Sequence, residues 1–204
     1  MTPADKNTVE PSPLAPFDKT VVLVGMMGVG KSTVGRRLAA SLALPFHDAD
    51  TEIETAAGMS VSDLFANHGE QSFRDGEERI IARLLDEGPM VLATGGGAIM
   101  REATRQRIGE KSISIWLRAD IDVIVQRATR RNARPLLQTG DPRQTIKRLT
   151  EERTPFYAEA DIQVESQPGP HQNTVDAILA ALADHCAKER TGAQDGTQTA
   201  AQEE

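Results

Sequence analysis

One stretch constrains the fold of this chain more than any other: Gly25-Met26-Met27-Gly28-Val29-Gly30-Lys31-Ser32, which fits G-x-x-x-x-G-K-[ST]. Its flanks fit as well. Thr20 to Val24 reads as a short β-branched apolar strand, and Thr33 to Leu42 sets Val34, Leu38 and Leu42 at helical spacing. Strand, glycine loop and helix start together form a phosphate cradle. The glycines let the backbone curl with its N–H groups inward, and the helix N-terminus adds a partial positive charge. Gly28, Val29, Gly30, Lys31, Ser32 and Thr33 are therefore the candidate contacts to nucleotide phosphates. Lys31 can reach the β- and γ-phosphates, and Ser32 offers a hydroxyl to Mg²⁺.

Beyond the cradle, strands and helices alternate. Leu44 to Asp48, Met90 to Ala93, Ser112 to Leu117 and Ile162 to Val164 read as four further strands. Ser60-Val61-Ser62-Asp63 resembles a capping box opening a helix through Phe65. Phe73, Ile80, Ile81, Leu84 and Leu85 line one face of another helix. Ile121 to Thr129, the region of Arg143 to Arg153, and Thr174 to Lys188 complete the helical patterns. This order predicts an α/β fold, a three-layer αβα arrangement around a five-stranded parallel sheet. Residues 1–17, with four prolines, and residues 189–204, rich in Thr, Gln, Ala, Gly and acids, read as disordered tails flanking a domain over 18–188.

Ligands of such sheets bind beyond the carboxyl ends of the strands. The second strand ends in Asp48-Ala49-Asp50. On an extended chain, residues two apart point the same way. One of Asp48 and Asp50 then suits Mg²⁺, usually through water, and the other suits an acceptor hydroxyl. His47 beside them reads as a packing residue. The third strand ends in Gly95-Gly96-Gly97, where backbone N–H groups can approach a ligand closely. Arg127, Arg130, Arg131 and Arg134 cluster ahead of Pro135, with Arg74 and Arg153 elsewhere. Arg130 and Arg131 read as solvated. The others are candidate cations for a transferring phosphoryl group and an anionic acceptor. Residues 130–143, with Asn, Pro, Gly and little apolar periodicity, have the composition of a mobile lid.

The charge balance narrows the partners. A formal net charge of −7 disfavours nucleic acid and anionic membrane surfaces. No apolar run approaches the roughly 20 residues that span a bilayer, and no basic-then-apolar segment opens the chain, so no leader is expected. Cys186 is the one cysteine, which fits a reducing compartment and a cytoplasmic setting.

Joined in this order, the motifs Gly25 to Ser32, Asp48-Ala49-Asp50, Phe73-Arg74-Asp75-Gly76-Glu77, Gly95-Gly96-Gly97, Arg134-Pro135-Leu136-Leu137, and Arg153 with Pro155-Phe156-Tyr157 resemble those of the shikimate kinase family. The resemblance runs from about Lys19 to Lys188. It implies a P-loop kinase fold and transfer of the γ-phosphate of ATP to the 3-hydroxyl of shikimate with Mg²⁺, by a monomer. It further implies that Asp50 meets the acceptor hydroxyl and that Arg74 and Arg153 clamp the substrate carboxylate. Glu77 would hold Arg74, while Gly95, Gly96 and Gly97 bring donors to the substrate. Arg134 would touch phosphate from the lid, and Arg127 would lie along the adenine. Phe65 and Phe73 would wall the ring, and a loop near Gln167 to Pro170 would close over the adenine.

The residues alone point the same way. Arginines away from the phosphate loop call for an anionic acceptor. An acid at the transfer point calls for a hydroxyl acceptor, since it would repel a phosphate. That disfavours a nucleoside monophosphate kinase. A gluconate-kinase-like sugar-acid kinase fits the same residues. A GTPase-like switch lacks its N-K-x-D signature here. A catalytically inactive nucleotide-binding module would have no use for Lys31, Asp50 and Arg134.

Overall fold

The computed structural model describes residue 14, residues 17–129, 140–166 and 169–200, with side chains as far as Thr191. Five strands form one sheet: β1 Thr20–Val24, β2 Phe46–Asp48, β3 Val91–Ala93, β4 Ser112–Arg118 and β5 Ile162–Glu165. Their order across the sheet is β2-β3-β1-β4-β5. Every pairing is parallel, with Val22 opposite Leu92 on one side and Ser114 on the other.

Between them run α1 Lys31–Leu42, α2 Ala49–Ala57, α3 Val61–Asp86, α4 Glu102–Lys111, α5 Ile121–Thr129, α6 Pro142–Tyr157 and α7 His171–Ala200. Strand alternation sorts the core into two halves. Val21 and Leu23 of β1 pack with Val34, Leu38 and Leu42 of α1 and Val175, Ile178 and Leu182 of α7. Val22 and Val24 face the other way, against Ile81 and Leu84 of α3, Ile108 of α4, Ile124 of α5 and Ile146 of α6. The three-layer αβα expectation therefore holds, with the central strand buried on both faces.

The two helices expected around Phe65 and Ile81 are both present, as the two parts of α3 that meet at a kink at Gly69, whose φ of 77° and ψ of 168° only glycine adopts without strain. Its start is as expected: Ser60 accepts from the Asp63 amide at 3.1 Å. Helices α2 and α4 were not foreseen. The former follows β2 without a loop, and the latter is mostly polar, with only Thr104 and Ile108 buried. At the C-terminus α7 runs on past Lys188 to Ala200.

Candidate active site

The carboxyl ends of β1, β2 and β3 open on one cavity of about 650 Å³. The phosphate loop forms one wall. Lys31 is 9% exposed, and its Nζ donates to the carbonyls of Gly25 at 2.6 Å and Met26 at 3.0 Å. The ammonium lies folded along the loop with its charge at the mouth of the cradle. One residue on, Ser32 Oγ donates to Asp48 Oδ2 at 2.5 Å. A hydroxyl from the start of α1 and a carboxylate from the end of β2 are thereby held side by side.

Asp48 and Asp50 both line the cavity, though not by the route the sequence suggested. The chain is extended only as far as Asp48, and Ala49 and Asp50 are already helical. Asp48 is the N-cap of α2 and accepts from the Asp50 amide at 3.1 Å, while Asp50 sits in the first helical turn. Capping turns the two carboxylates to different neighbours. Asp48 meets Ser32, and Asp50 lies near Glu77 and the Gly95 backbone. His47 is half-buried, with Nδ1 2.9 Å from Glu52 Oε1. Glu52 also pairs with Arg83 of α3.

The opposite wall is built around an ion pair. Arg74 Nη1 donates to Glu77 Oε2 at 2.6 Å, and a second nitrogen lies 3.2 Å from Glu70. The guanidinium stands 5.1 Å from the Phe73 ring centre and 6.0 Å from that of Phe65, and the two rings are 4.7 Å apart. Glu77 is 1% exposed, and its Oε1 has no hydrogen-bond partner among the described residues. Burial pushes its carboxyl above the ordinary value, against the opposing pull of Arg74, while Asp50 adds to the rise.

Gly95, Gly96 and Gly97 lie where these groups converge. None of the three has a positive φ. Their need is space, and the protein's own side chains take it up. A Cβ on Gly95 would run into Glu77 Oε1, and one on Gly97 would lie 2.5–2.6 Å from three atoms of the Arg74 guanidinium. The Gly96 carbonyl accepts from Arg153 Nη1 at 3.0 Å and from the Tyr157 hydroxyl at 2.5 Å. Arg153 and Tyr157 stand one turn apart on α6, both buried. Tyr157 stacks on Trp116 with centres 5.7 Å apart. Its burial raises the phenol to about 12, so it donates at any physiological pH.

On the nucleotide side, Arg127 reaches back from α5 to the Val29 carbonyl at 3.5 Å and lines the cavity. Arg130, Arg131, Arg134 and the first ten positions of the expected lid lie outside the described residues, as do Gln167 and Pro168. One lining residue carried no clear signal, and Tyr157, though part of the Arg153 to Tyr157 motif, was given no role of its own. His171 lines the cavity beside Gly30, and only its place directly after Pro170 hinted at a helix start there. Tyr157 could have been found from its four-residue offset from Arg153 on a helical face. Among the described residues, no group of three or more His, Cys, Asp or Glu could hold a metal on its own, and no helix is long and apolar enough to cross a membrane.

A strand running into a glycine cradle, with an acid from the end of β2 and arginines from α3 and α6 across one cavity, defines a P-loop kinase. The shikimate kinase family profile matches residues 27–183. The shikimate kinase of Rhodopseudomonas palustris is 62% identical over 168 residues, 82% of this chain and 83% of that one. The shikimate kinase of Bradyrhizobium diazoefficiens is 59% identical over 172 residues, 84% and 83% of the two chains. Among solved structures, the shikimate kinase of Acinetobacter baumannii in complex with shikimate superposes with a TM-score of 0.82 at 35% identity, covering 85% of this chain and 98% of that one. A gluconokinase from Sinorhizobium meliloti shares the fold at a TM-score of 0.56 and 18% identity. The chain belongs to the shikimate kinase family.

Proposed function

We propose that the chain transfers the γ-phosphate of ATP to the 3-hydroxyl of shikimate, giving shikimate 3-phosphate and ADP. The observation that carries the reading is the pairing of a phosphate cradle with a separate cationic wall, Arg74 and Arg153, across one cavity. A half-buried guanidinium held by Glu77 and a buried one held by the Gly96 carbonyl suit a carboxylate, which arginine grips with its planar fork. Phe65 and Phe73 offer an apolar face to a carbocycle. The family relation favours this acceptor over a sugar acid, since the gluconokinase neighbour shares only the fold.

In this reading the nucleotide phosphates lie on the Gly28–Thr33 backbone. Lys31 leaves the loop carbonyls to follow the γ-phosphate, where a point charge counters the charge that develops in the transition state. Asp50 orients the acceptor hydroxyl and takes its proton late, because a loose transition state needs little early deprotonation. The N–H groups of the glycine turn supply further donors to the substrate. Arg127 lies along the adenine, and Arg134 meets phosphate from the lid.

Magnesium fits the donors present. Ser32 Oγ and Asp48 Oδ2 are hard oxygens already 2.5 Å apart at the end of the cradle. Ser32 would hold the ion directly and Asp48 through water. Bound there with the β- and γ-phosphates, the ion would neutralise part of their charge. A single chain supplies every group named, which supports a monomer, and the lone cysteine supports a cytoplasmic setting. The reading is tested by product analysis. Phosphorus NMR of the reaction of ATP with shikimate should place the new phosphate on the 3-hydroxyl. A phosphate on another oxygen, or none transferred, overturns the assignment.

A further inference from the structure

Among the described residues that line the cavity, His171 and Arg36 are the ionisable groups that the proposed chemistry leaves without a task, and His171 is the one beside Gly30. It is the first residue of α7, half-buried, and its Cε1 stands 3.8 Å from the point a Cβ on Gly30 would occupy. Arg127 Nη1 is 4.0 Å from the same point. In a phosphate cradle the backbone at Gly30 faces the nucleotide phosphates. The imidazole therefore borders the space where the anionic nucleotide lies, on the side away from Asp50 and the substrate arginines.

We propose that His171 is a nucleotide contact that takes a proton from solvent when the nucleotide binds, so that an imidazolium completes the cationic rim of the cradle. The inference rests on the nucleotide reading of that cradle.

The physics runs through the charges that face the ring. From α5 comes Arg127 and from α1 Arg37, both cations. The phosphate loop packs against it through Gly30, which carries no charge. The start of α7 adds its own partial positive charge. The nearest acid along α7, Asp176, is engaged by Gln172 at 2.8 Å. Burial, then Arg127 and Arg37, hold the empty-site imidazole below its ordinary value, so it is neutral near neutral pH. Nucleotide phosphates reverse that sum. An anion within a few ångströms favours the charged ring, which adds one N–H donor toward phosphate or ribose. Binding that raises the affinity for a proton is itself strengthened as pH falls, because linkage is reciprocal.

The experiment is a histidine NMR titration of the intact chain with and without ADP. The chain has four histidines, and the His171 Hε1 signal is the one missing in His171→Gln and in His171→Asn. The expected result is a His171 midpoint below the ordinary range without ADP, rising by about one unit or more with it. Calorimetry should then show wild-type ADP affinity gaining up to about tenfold over His171→Gln between weakly alkaline and weakly acidic pH. If ADP binds while the His171 midpoint stays put, or if both proteins share one pH profile, the inference is overturned and the kinase reading stands. If the wild-type chain does not bind ADP at any pH, the kinase reading itself fails.

Discussion

Replacing Gly97 with alanine adds one methyl group, yet it should cost the enzyme most of its hold on shikimate. The new Cβ would stand 2.5 Å from Arg74 Nη2 and 2.6 Å from Cζ and Nη1, well inside contact distance. The guanidinium cannot simply swing away. Glu77 holds it at 2.6 Å, Glu70 at 3.2 Å, and Phe73 lies beneath it. To reach ordinary contact it must retreat by close to 1 Å, which breaks its bond to a carboxylate only 1% exposed. Breaking a buried pair and leaving one partner in place costs about 3–5 kcal/mol of stability. Losing a charge partner for a desolvated carboxylate costs about 2–5 kcal/mol of binding. At about 1.4 kcal/mol per decade, the KM for shikimate rises by roughly 30-fold to above a thousandfold, while that for ATP barely moves. A coupled assay of ADP formation, run against each substrate in turn, measures both. Gly76→Ala is the control: nothing lies within 4 Å of its Cβ position, so a helical alanine there should be neutral or stabilising by about 0.5–1 kcal/mol. Wild-type shikimate KM in a folded Gly97→Ala protein would refute the reasoning, because Arg74 would then be free to move without loss.

Lys31→Ala should leave shikimate binding intact and remove phosphoryl transfer, a loss of several kcal/mol in the transition state seen as turnover at background. Asp50→Asn keeps the shape of the side chain and should lower turnover by orders of magnitude with ATP binding unchanged; calorimetry with nucleotide separates the two effects. The single tyrosine permits a clean optical titration. Tyr157 is raised from 10.0 to about 12 in the folded protein, so its contribution to stability is complete below pH 10 and disappears as pH rises through about 12. Phenolate absorbance should therefore be missing at about pH 11 in the native chain and present in denaturant; equal midpoints would show that the hydroxyl is not buried against Gly96.

The cradle was legible because its chemistry is local: strand, loop and helix are consecutive, and each fixed position has its own physical reason. The central strands were legible for the same cause, as short apolar runs such as β1 and β3 that are buried on both faces. What escaped is partly local and partly a matter of contacts far apart in the chain. Asp48 is extended as read, but its side chain caps a helix that starts at once, so Asp50 is helical and the two carboxylates do not share the direction of an extended chain. The mostly polar α4 gave no periodicity to detect. The glycine triplet was read as a place of close approach by a ligand; the groups that stand close to it are Glu77, Arg74 and Arg153, which lie 18 to 57 residues away. The same long-range assembly brings His171 beside Gly30, a meeting of α7 with the phosphate loop that no spacing rule encodes.

The central claim is that two arginines opposite a phosphate cradle select a small cyclic hydroxy acid for phosphorylation. Initial rates of ADP formation with ATP, measured side by side with shikimate and with gluconate, test it most directly. The account predicts saturable turnover with shikimate and only background with gluconate. Turnover with gluconate, or no shikimate-dependent ADP from the folded protein, would contradict it.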